Sequence, residues 1–419
     1  MIFDWKANGA FGKSLRLLRT RRFGTFWLAS LLSNIGTWAQ QVAQPWLMLS
    51  IGASSFLLGV DSFAMGAPVL LLTLIGGVLA DRADRRRVIA SFQSVQMFCP
   101  VLVVVLLVAG KIEPWMIIGL SLVVGITDAL SMPSFQSIVP SIVARNEIAT
   151  GIALNSTQFN LSRILGPAVA GVLMASVGAA GAFAVSAASY VPFILVALWV
   201  LPRGVQPNPG VAGYDLFAGV REIAKEPALR GALLTALATS ALCAPLITFC
   251  PVLVKQALHQ DVGHFSLTVG AFGAGGMLGA IGLLAIDPAR DRRPLSSMFA
   301  ALYGVTVALV AIDPWAWALP VLFVVAGLTM TVSNASANAM LQSVAPARIR
   351  GQSVSLFMLA VRGGVSLGSL LTGVTVSALG VREALLINGV DAVLAHALIW
   401  RGWHRAELPS SRSASQAIE

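Results

Sequence analysis

Charge is what this sequence has least of. Asp, Glu, Lys and Arg make up 11% of the 419 residues, where a soluble domain carries about 25%, and this argues against a water-soluble fold. There are three cysteines and four histidines. Cys99, Cys243 and Cys250 sit in apolar stretches without metal-ligand or redox spacing, and read as small core residues. His259, His264, His396 and His404 form no H-x-x-x-H or Cys/His set. A metal centre lacks ligands, no cofactor is implied, and a lipid-modifying membrane enzyme lacks an evident nucleophile with its base. The first 22 residues hold no short apolar core followed by a small-residue cleavage site, so no cleaved signal peptide is read there.

What is present is hydrocarbon. Apolar residues make up 57% of the chain, the mean hydropathy is +0.81, and runs of about 20 residues, the length that crosses a bilayer, recur from Phe23 almost to Trp400. A spanning chain must satisfy its own backbone, which leaves a helix bundle or a closed barrel. These runs are too long and too uniformly apolar for barrel strands. Helices are expected near 23–49, 56–80, 88–110, 114–136, 149–176 and 180–201, then 229–256, 265–286, 295–312, 315–339, 352–378 and 383–400. With the N-terminus in the cytoplasm, 23 of the 28 Lys and Arg fall in cytoplasmic segments, leaving Lys111, Lys255 and Arg382 outside and Arg163 and Arg362 within helices. That asymmetry obeys the positive-inside rule and explains the net charge of +10 without a nucleic-acid partner.

The expected organisation is a basic cytoplasmic segment over 1–22, a six-helix bundle over 23–201, a cytoplasmic connector over 202–228, a second six-helix bundle over 229–400 and a cytoplasmic tail over 401–419. The connector turns amphipathic around Leu216, Val220, Ile223 and Ala224. The halves also resemble each other, as expected of a repeat-built transporter. A shift of 206 places Pro45 on Pro251, Gly76 on Gly282, Asp81 on Asp287, Arg86 on Arg292 and Arg87 on Arg293. A shift of 202 places Gly166, Gly171 and Gly178 on Gly368, Gly373 and Gly380.

Between the second and third helices runs Gly77-Val78-Leu79-Ala80-Asp81-Arg82-Ala83-Asp84-Arg85-Arg86-Arg87. It resembles the cytoplasmic G-x-L-A-D-R-x-G-R-R signature of the major facilitator superfamily, with Asp84 where many members have Gly. The Asp variant resembles the branch of the drug:proton antiporters that holds siderophore exporters and macrolide efflux pumps. The resemblance implies an all-α membrane protein with twelve spans in two pseudo-symmetric six-helix bundles. It also implies a cytoplasmic latch made by Gly77, Asp81, Arg82 and Arg85, with Asp128 as the carboxylate partner of Arg85. Arg163-Ile164-Leu165-Gly166-Pro167 through Gly171 resembles the exporter-associated G-P-x-x-G-G signature, with Gly166 and Pro167 as its core and a one-residue departure in spacing. The helix-4 Arg of the drug:proton antiporters is absent between Trp115 and Gln136.

Polar stripes mark a substrate pathway. Asn34, Thr37, Gln41 and Gln44 recur at helical spacing on the first span; Asn155, Gln158 and Ser162 on the fifth; Thr331, Asn334 and Asn338 on the tenth. Lipid does not favour such faces, so they point to a cavity or bond helix to helix. Arg163 and Arg362 lie about 21 and 15 Å into their helices at 1.5 Å per residue. They either hold an anionic substrate or pair permanently with carboxylates. Asp61 and Asp391 are the embedded carboxylates left for proton coupling.

These readings describe a secondary active, proton-coupled exporter of a small amphipathic or anionic molecule, siderophore-like or drug-like, acting by alternating access. The alternatives are an importer or lysolipid flippase on the same fold, and, in another class, a lipid-modifying enzyme or a non-transporting receptor. The expected partners are a small-molecule substrate, protons and the bilayer, the expected state a monomer, and the expected location a bacterial-type inner membrane with both termini cytoplasmic.

Overall fold

The computed structural model describes residues 10–202, 221–223, 225–287, 291–346 and 350–404, and among them every regular element is helical. A short amphipathic helix, α1 (Ala10–Leu18), precedes α2 (Arg21–Ser50), α3 (Ser55–Arg82), α4 (Arg85–Val108), α5 (Pro114–Ile142) and α6 (Ile148–Trp199). After the connector come α7 (Pro227–Ala257), α8 (Val262–Leu284), α9 (Arg293–Ile312), α10 (Leu319–Val344), α11 (Arg350–Leu379) and α12 (Val381–His404).

α6 is 52 residues long, far more than one membrane crossing needs. Gly178, at φ 68° and ψ −174°, splits it into two spans with a backbone conformation essentially reserved for glycine. Among the described residues, ten stretches are long and apolar enough to cross a membrane: α3, α4, α5, the second part of α6, and α7 through α12. α2 and the first part of α6 complete the twelve. α2 falls short in apolarity because it carries the Asn, Thr and Gln stripe, and the first part of α6 is described only in part. Large apolar side chains such as Leu71, Val108, Trp199, Leu371 and Leu398 are exposed, an arrangement suited to lipid rather than water. α5 continues to Ile142 and α10 to Val344, past the expected ends at 136 and 339, because the helices carry on through polar turns that hydropathy does not register.

The chain forms two compact units. One holds Met1–Val211 with Thr248–Gly273, the other Ala212–Ile247 with Ala274–Glu419. The end of α7 and the start of α8 thus pack within the first unit. That unit's core gathers Phe23, Phe26, Ile89, Phe193 and Ala197, with Phe193 stacked on Phe135 at 5.2 Å and tilted against Phe26 at 5.8 Å. α1 seals its end: Leu17 is buried in the same cluster, and Arg16 meets Glu147 at 2.9 Å. The second core joins Leu229, Ala232, Leu341 and Phe357 with Ile223 of the connector. The connector residues 203–220 and 224 and the tail 405–419 lie outside the described residues.

The repeat is legible inside each unit. Gly178 and Gly380, 202 positions apart, both take positive φ, at 68° and 104°, and each joins two consecutive spans. Gly166 lets α6 approach α2, where an added Cβ would lie 2.3 Å from Trp38 Cβ and 3.1 Å from the Ala39 amide. Gly368 does the same for α11 against α7, where a Cβ would lie 2.0 Å from the Ala241 carbonyl oxygen. The expected shift of 206 needs a correction at one turn. Asp84 accepts the Arg86 amide at 3.0 Å at the start of α4, and Asp291 accepts the Arg293 amide at 2.9 Å at the start of α9. Arg86 therefore corresponds to Arg293, not Arg292, because the second turn carries one more residue.

Candidate functional site

The α2 stripe is mostly spent on bonds inside the first unit. Asn34 Nδ2 donates to Gln158 Oε1 at 3.3 Å, and Gln158 Nε2 reaches Asn155 Oδ1 at 3.5 Å. Thr37 Oγ1 lies 3.1 Å from the Tyr190 hydroxyl and donates to the Ser33 carbonyl at 3.0 Å. Ser186 donates to Gln40 Oε1 at 2.8 Å, and Ser162 bonds the Gln158 carbonyl at 2.8 Å. Between helices in lipid such contacts contribute about 0.6 kcal/mol each, and several in a row fix the α2–α6 register. Gln41 is half-buried and makes no side-chain hydrogen bond among the described residues.

At the far end of the stripe Gln44 closes a ring with two other helices. Gln44 Nε2 donates to Asp61 Oδ2 at 2.7 Å and to Ser121 Oγ at 2.8 Å, while Ser121 donates to Asp61 Oδ1 at 2.6 Å. All three residues are buried, one each from α2, α3 and α5. The ring uses both amide hydrogens and the hydroxyl hydrogen. Among the described residues no ion pair reaches Asp61, so neutral donors alone hold this carboxylate. A hydroxyl rotates freely, so Ser121 can accept from a protonated Asp61 as readily as it donates to a charged one. Sequence reasoning found Asp61 and Gln44 but missed Ser121, and it missed Gln40, Tyr190 and Ser186.

Asp391 has the opposite setting. It lies exposed on α12, on the same face as the exposed Ile387, Leu394 and Leu398. The two carboxylates expected to serve proton coupling are thus separated by environment, one enclosed in a donor ring and one on an apolar outer face. On α10, Asn334 Oδ1 is buried without a hydrogen-bond partner among the described residues, and Asn338 Oδ1 accepts from Gln342 at 3.1 Å. Arg362 is half-buried on α11, with its carbonyl taken by Ser366 at 3.0 Å.

The loop motif is described in part. The backbone of Gly77, Asp81 and Arg82 completes α3, while their side chains, and those of Arg163 and Pro167, lie outside the described residues. Asp84, the residue that departs from the usual Gly, caps α4. Beside it Arg86 reaches the Leu198 carbonyl at 2.5 Å. Arg85 and Asp128 are both half-buried. A further buried chain, Gln93 to Gln96 at 2.8 Å and Gln96 to Thr127 at 3.2 Å, ties α4 to α5.

A second feature was not expected. Near the end of α2, Trp46 stacks on Phe265 of α8 at 5.1 Å and 23°. Lys255 of α7 sits 5.6 Å over the same indole, with its Nζ 3.4 Å from Ser50 Oγ. Gly171 of α6 packs on α8, where an added Cβ would lie 2.6 Å from Ser266 Cβ. This clasp joins the first sequence half to α7 and α8 within one compact unit. Only Gly171 carried a signal, as part of the exporter-like motif; an aromatic at a helix end reads equally well as a lipid anchor.

The model of the transmembrane secretion effectors matches residues 13–418 of the chain. Among curated proteins the chain is similar to the multidrug efflux pump Tap of Mycolicibacterium fortuitum, 24% identical with 87% of this chain and 92% of that one covered. It is similar to the staphyloferrin A transporter of Staphylococcus aureus, 22% identical over 88% and 93%. It is also similar to the enterobactin exporter EntS of Salmonella typhimurium, 27% identical over 86% and 87%. Among solved structures, the nucleoside transporter NupG superposes with a TM-score of 0.73 at 14% identity, covering 92% of this chain and 99% of that one. An inward-facing, occupied bacterial homologue of the lysosomal transporter Spinster gives 0.71 at 16%, over 91% and 96%. The helical spans, the repeated Gly hinges and a family match along nearly the whole chain agree, and the chain belongs to the transmembrane secretion effectors, multi-pass transporters of the major facilitator superfamily.

Proposed function

We propose that the protein is a proton-coupled exporter of a small amphipathic or anionic molecule, either a siderophore-like metabolite or a drug, working by alternating access. The observation that carries this reading is the clasp. Trp46, Phe265, Lys255 and Ser50 tie α2 to α7 and α8 by one aromatic stack, one cation–π contact and one hydrogen bond. Such contacts are each worth about 0.5 to 1.5 kcal/mol. Together they amount to the few kcal/mol that separate two interconverting states, so the closure is firm enough to populate and weak enough to undo.

In this reading the clasp is the outer gate. Gly77, Asp81, Arg82, Arg85 and Asp128 form the cytoplasmic latch that alternates with it. Asp61 carries the proton, because its partners Gln44 and Ser121 can serve either protonation state. Within the first unit Gln41, which has unspent hydrogen-bonding capacity, joins Arg163 as a substrate contact, and within the second unit Asn334 joins Arg362 in the same role. Both termini face the cytoplasm of a bacterial-type inner membrane, a reading that the distribution of Lys and Arg supports, and the protein works as a monomer. The similarity to a multidrug efflux pump and to an enterobactin exporter supports the outward direction.

The test begins with a resistance and metabolite-secretion screen on a deletion strain, complemented by the wild type and by Arg163→Ala. The substrate found is then offered to everted and to intact vesicles. Accumulation in everted vesicles under a proton gradient is the expected result. Accumulation only in right-side-out preparations would replace export with import, and normal secretion by Arg163→Ala at equal expression would remove the anion site.

A further inference from the structure

The second unit holds a cavity of about 750 Å³ between α9 and α12, at the end where α9 begins and α12 finishes. Its origin is geometric. α9 and α12 touch through glycines, with an added Cβ at Gly304 lying 2.9 Å from Ala392 Cβ and one at Gly389 lying 2.6 Å from the Ala308 amide. Helices so closely joined at one point diverge away from it, and the space opens toward Arg293 and Arg401.

The lining is graded along the helix axes. Asp291 and Arg401 stand exposed at the mouth, with Trp400 beside them. Asp291 already holds Arg293 at 3.0 Å, whereas Arg401 has no ion-pair partner among the described residues. Deeper lie Ser297 and His396, 3% and 2% exposed. His396 Nε2 is engaged by Thr239 Oγ1 at 3.2 Å. The other ring nitrogen, Nδ1, and the Ser297 hydroxyl have no hydrogen-bond partner among the described residues. Two buried polar groups left unpaired cost about 1 to 3 kcal/mol each, and both line the cavity. His396 lies five residues before Arg401, about 7.5 Å deeper at 1.5 Å per residue.

The cavity does not stand alone. A wholly apolar groove of about 250 Å³ runs along the same two helices past Leu309, Ile312, Leu386 and Val390. It shares Val393 with the cavity. A cation at the mouth and two hydrogen-bonding groups one step inward, all without partners among the described residues, and an apolar trough reaching further into the membrane match one ligand chemistry. It is an amphiphile with a phosphate, then ester or hydroxyl groups, then a hydrocarbon chain.

We propose that this is a binding site for a membrane glycerophospholipid from the leaflet on the side of the chain termini. Arg401 takes the phosphate, Ser297 and His396 Nδ1 take the glycerol-ester oxygens, and an acyl chain lies in the groove beyond Val393. The site is separate from the transport residues named above and stands whether or not the substrate reading holds.

Native mass spectrometry of the full-length protein, released from detergent after titration with dioleoylphosphatidylglycerol or dioleoylglycerol, tests it. The wild type is expected to keep one phosphatidylglycerol per chain and to prefer it to the phosphate-free lipid. Arg401→Gln is expected to lose about fivefold in that preference, the contribution of one basic side chain at a membrane surface. Ala397→Trp, which fills the cavity, is expected to abolish retention, while Leu398→Trp on the exposed face beside it leaves retention unchanged. Equal retention of the two lipids by the wild type, or full retention by a folded Ala397→Trp, would overturn the site. Arg401 is exposed, so its variant folds and keeps the test decisive even if Ala397→Trp does not.

Discussion

Asp61 shows how a carboxylate is tolerated in a membrane span. An isolated charge there costs at least about 2.5 kcal/mol, and the ring of Gln44 and Ser121 supplies every donor its oxygens need. Asp61→Asn keeps the shape and an acceptor oxygen but cannot take up a proton. The expected outcome in proteoliposomes is loss of uptake driven by a pH gradient, with substrate exchange across a zero gradient retained; gradient-driven uptake at the wild-type rate would remove Asp61 from the coupling step. Asp61→Leu leaves a Gln44 amide hydrogen buried and unpaired, so its thermal stability is expected to fall below that of the Asn variant by about 1 to 3 kcal/mol. Comparing melting temperatures of the two purified variants checks this. Asp61 and Gln44 were legible in the sequence because a charge and an amide are rare in apolar runs. Ser121 was not, because a lone hydroxyl in a helix usually bonds its own carbonyl four residues back, as Ser94, Thr268 and Ser366 do.

At the scale of the element, hydropathy finds lipid-facing helices and underrates those whose polar groups are used internally. α2 is a span that falls short in apolarity, and its Asn34 bonds the first part of α6 while its Thr37 and Gln40 bond the second. Both α2 and the first part of α6 were nonetheless expected from apolar runs bounded by Gly, Pro and charge. The glycine pattern carried the repeat because it encodes backbone approach and turn geometry, which a shift of sequence preserves. The turn before α9 broke register because an added loop residue costs little and leaves no trace in helix periodicity. Gly178→Ala forces an L residue into a conformation that costs about 1 to 3 kcal/mol, with no neighbour within 4 Å to clash. Gly166→Ala keeps ordinary helical geometry but meets Trp38 and the Ala39 backbone, an overpacking worth about 1 to 3 kcal/mol. Both are expected to lower the melting temperature. Trp38→Gly, which removes the Cβ that the new methyl meets, is expected to relieve Gly166→Ala and not Gly178→Ala. Equal relief of both would mean that strain and crowding have been assigned to the wrong glycine.

At the scale of the whole molecule, the proposed alternating access requires the clasp to open in every transport cycle. The fold and the family were readable from composition, basic-residue asymmetry and the loop motif, but the clasp was not. Trp46 and Ser50 on one side and Lys255 and Phe265 on the other are about 200 residues apart in sequence, and each looks ordinary alone. Gly171 and Ser266 offer a direct handle, because an added Cβ at Gly171 lies 2.6 Å from Ser266 Cβ, and a disulfide asks for about 3.8 Å between Cβ atoms. A small outward shift of one helix satisfies that distance. The three native cysteines are buried and unpaired, so a Gly171→Cys, Ser266→Cys pair reacts without competition at the surface. Oxidation is expected to cross-link the pair in the resting protein and stop transport, and reduction to restore it. If the cross-linked protein still moves substrate at the uncross-linked rate, α6 and α8 need not part there, and the outer gate lies elsewhere. Alternating access then has to be built on a different contact, because a junction that never opens cannot alternate with the cytoplasmic latch.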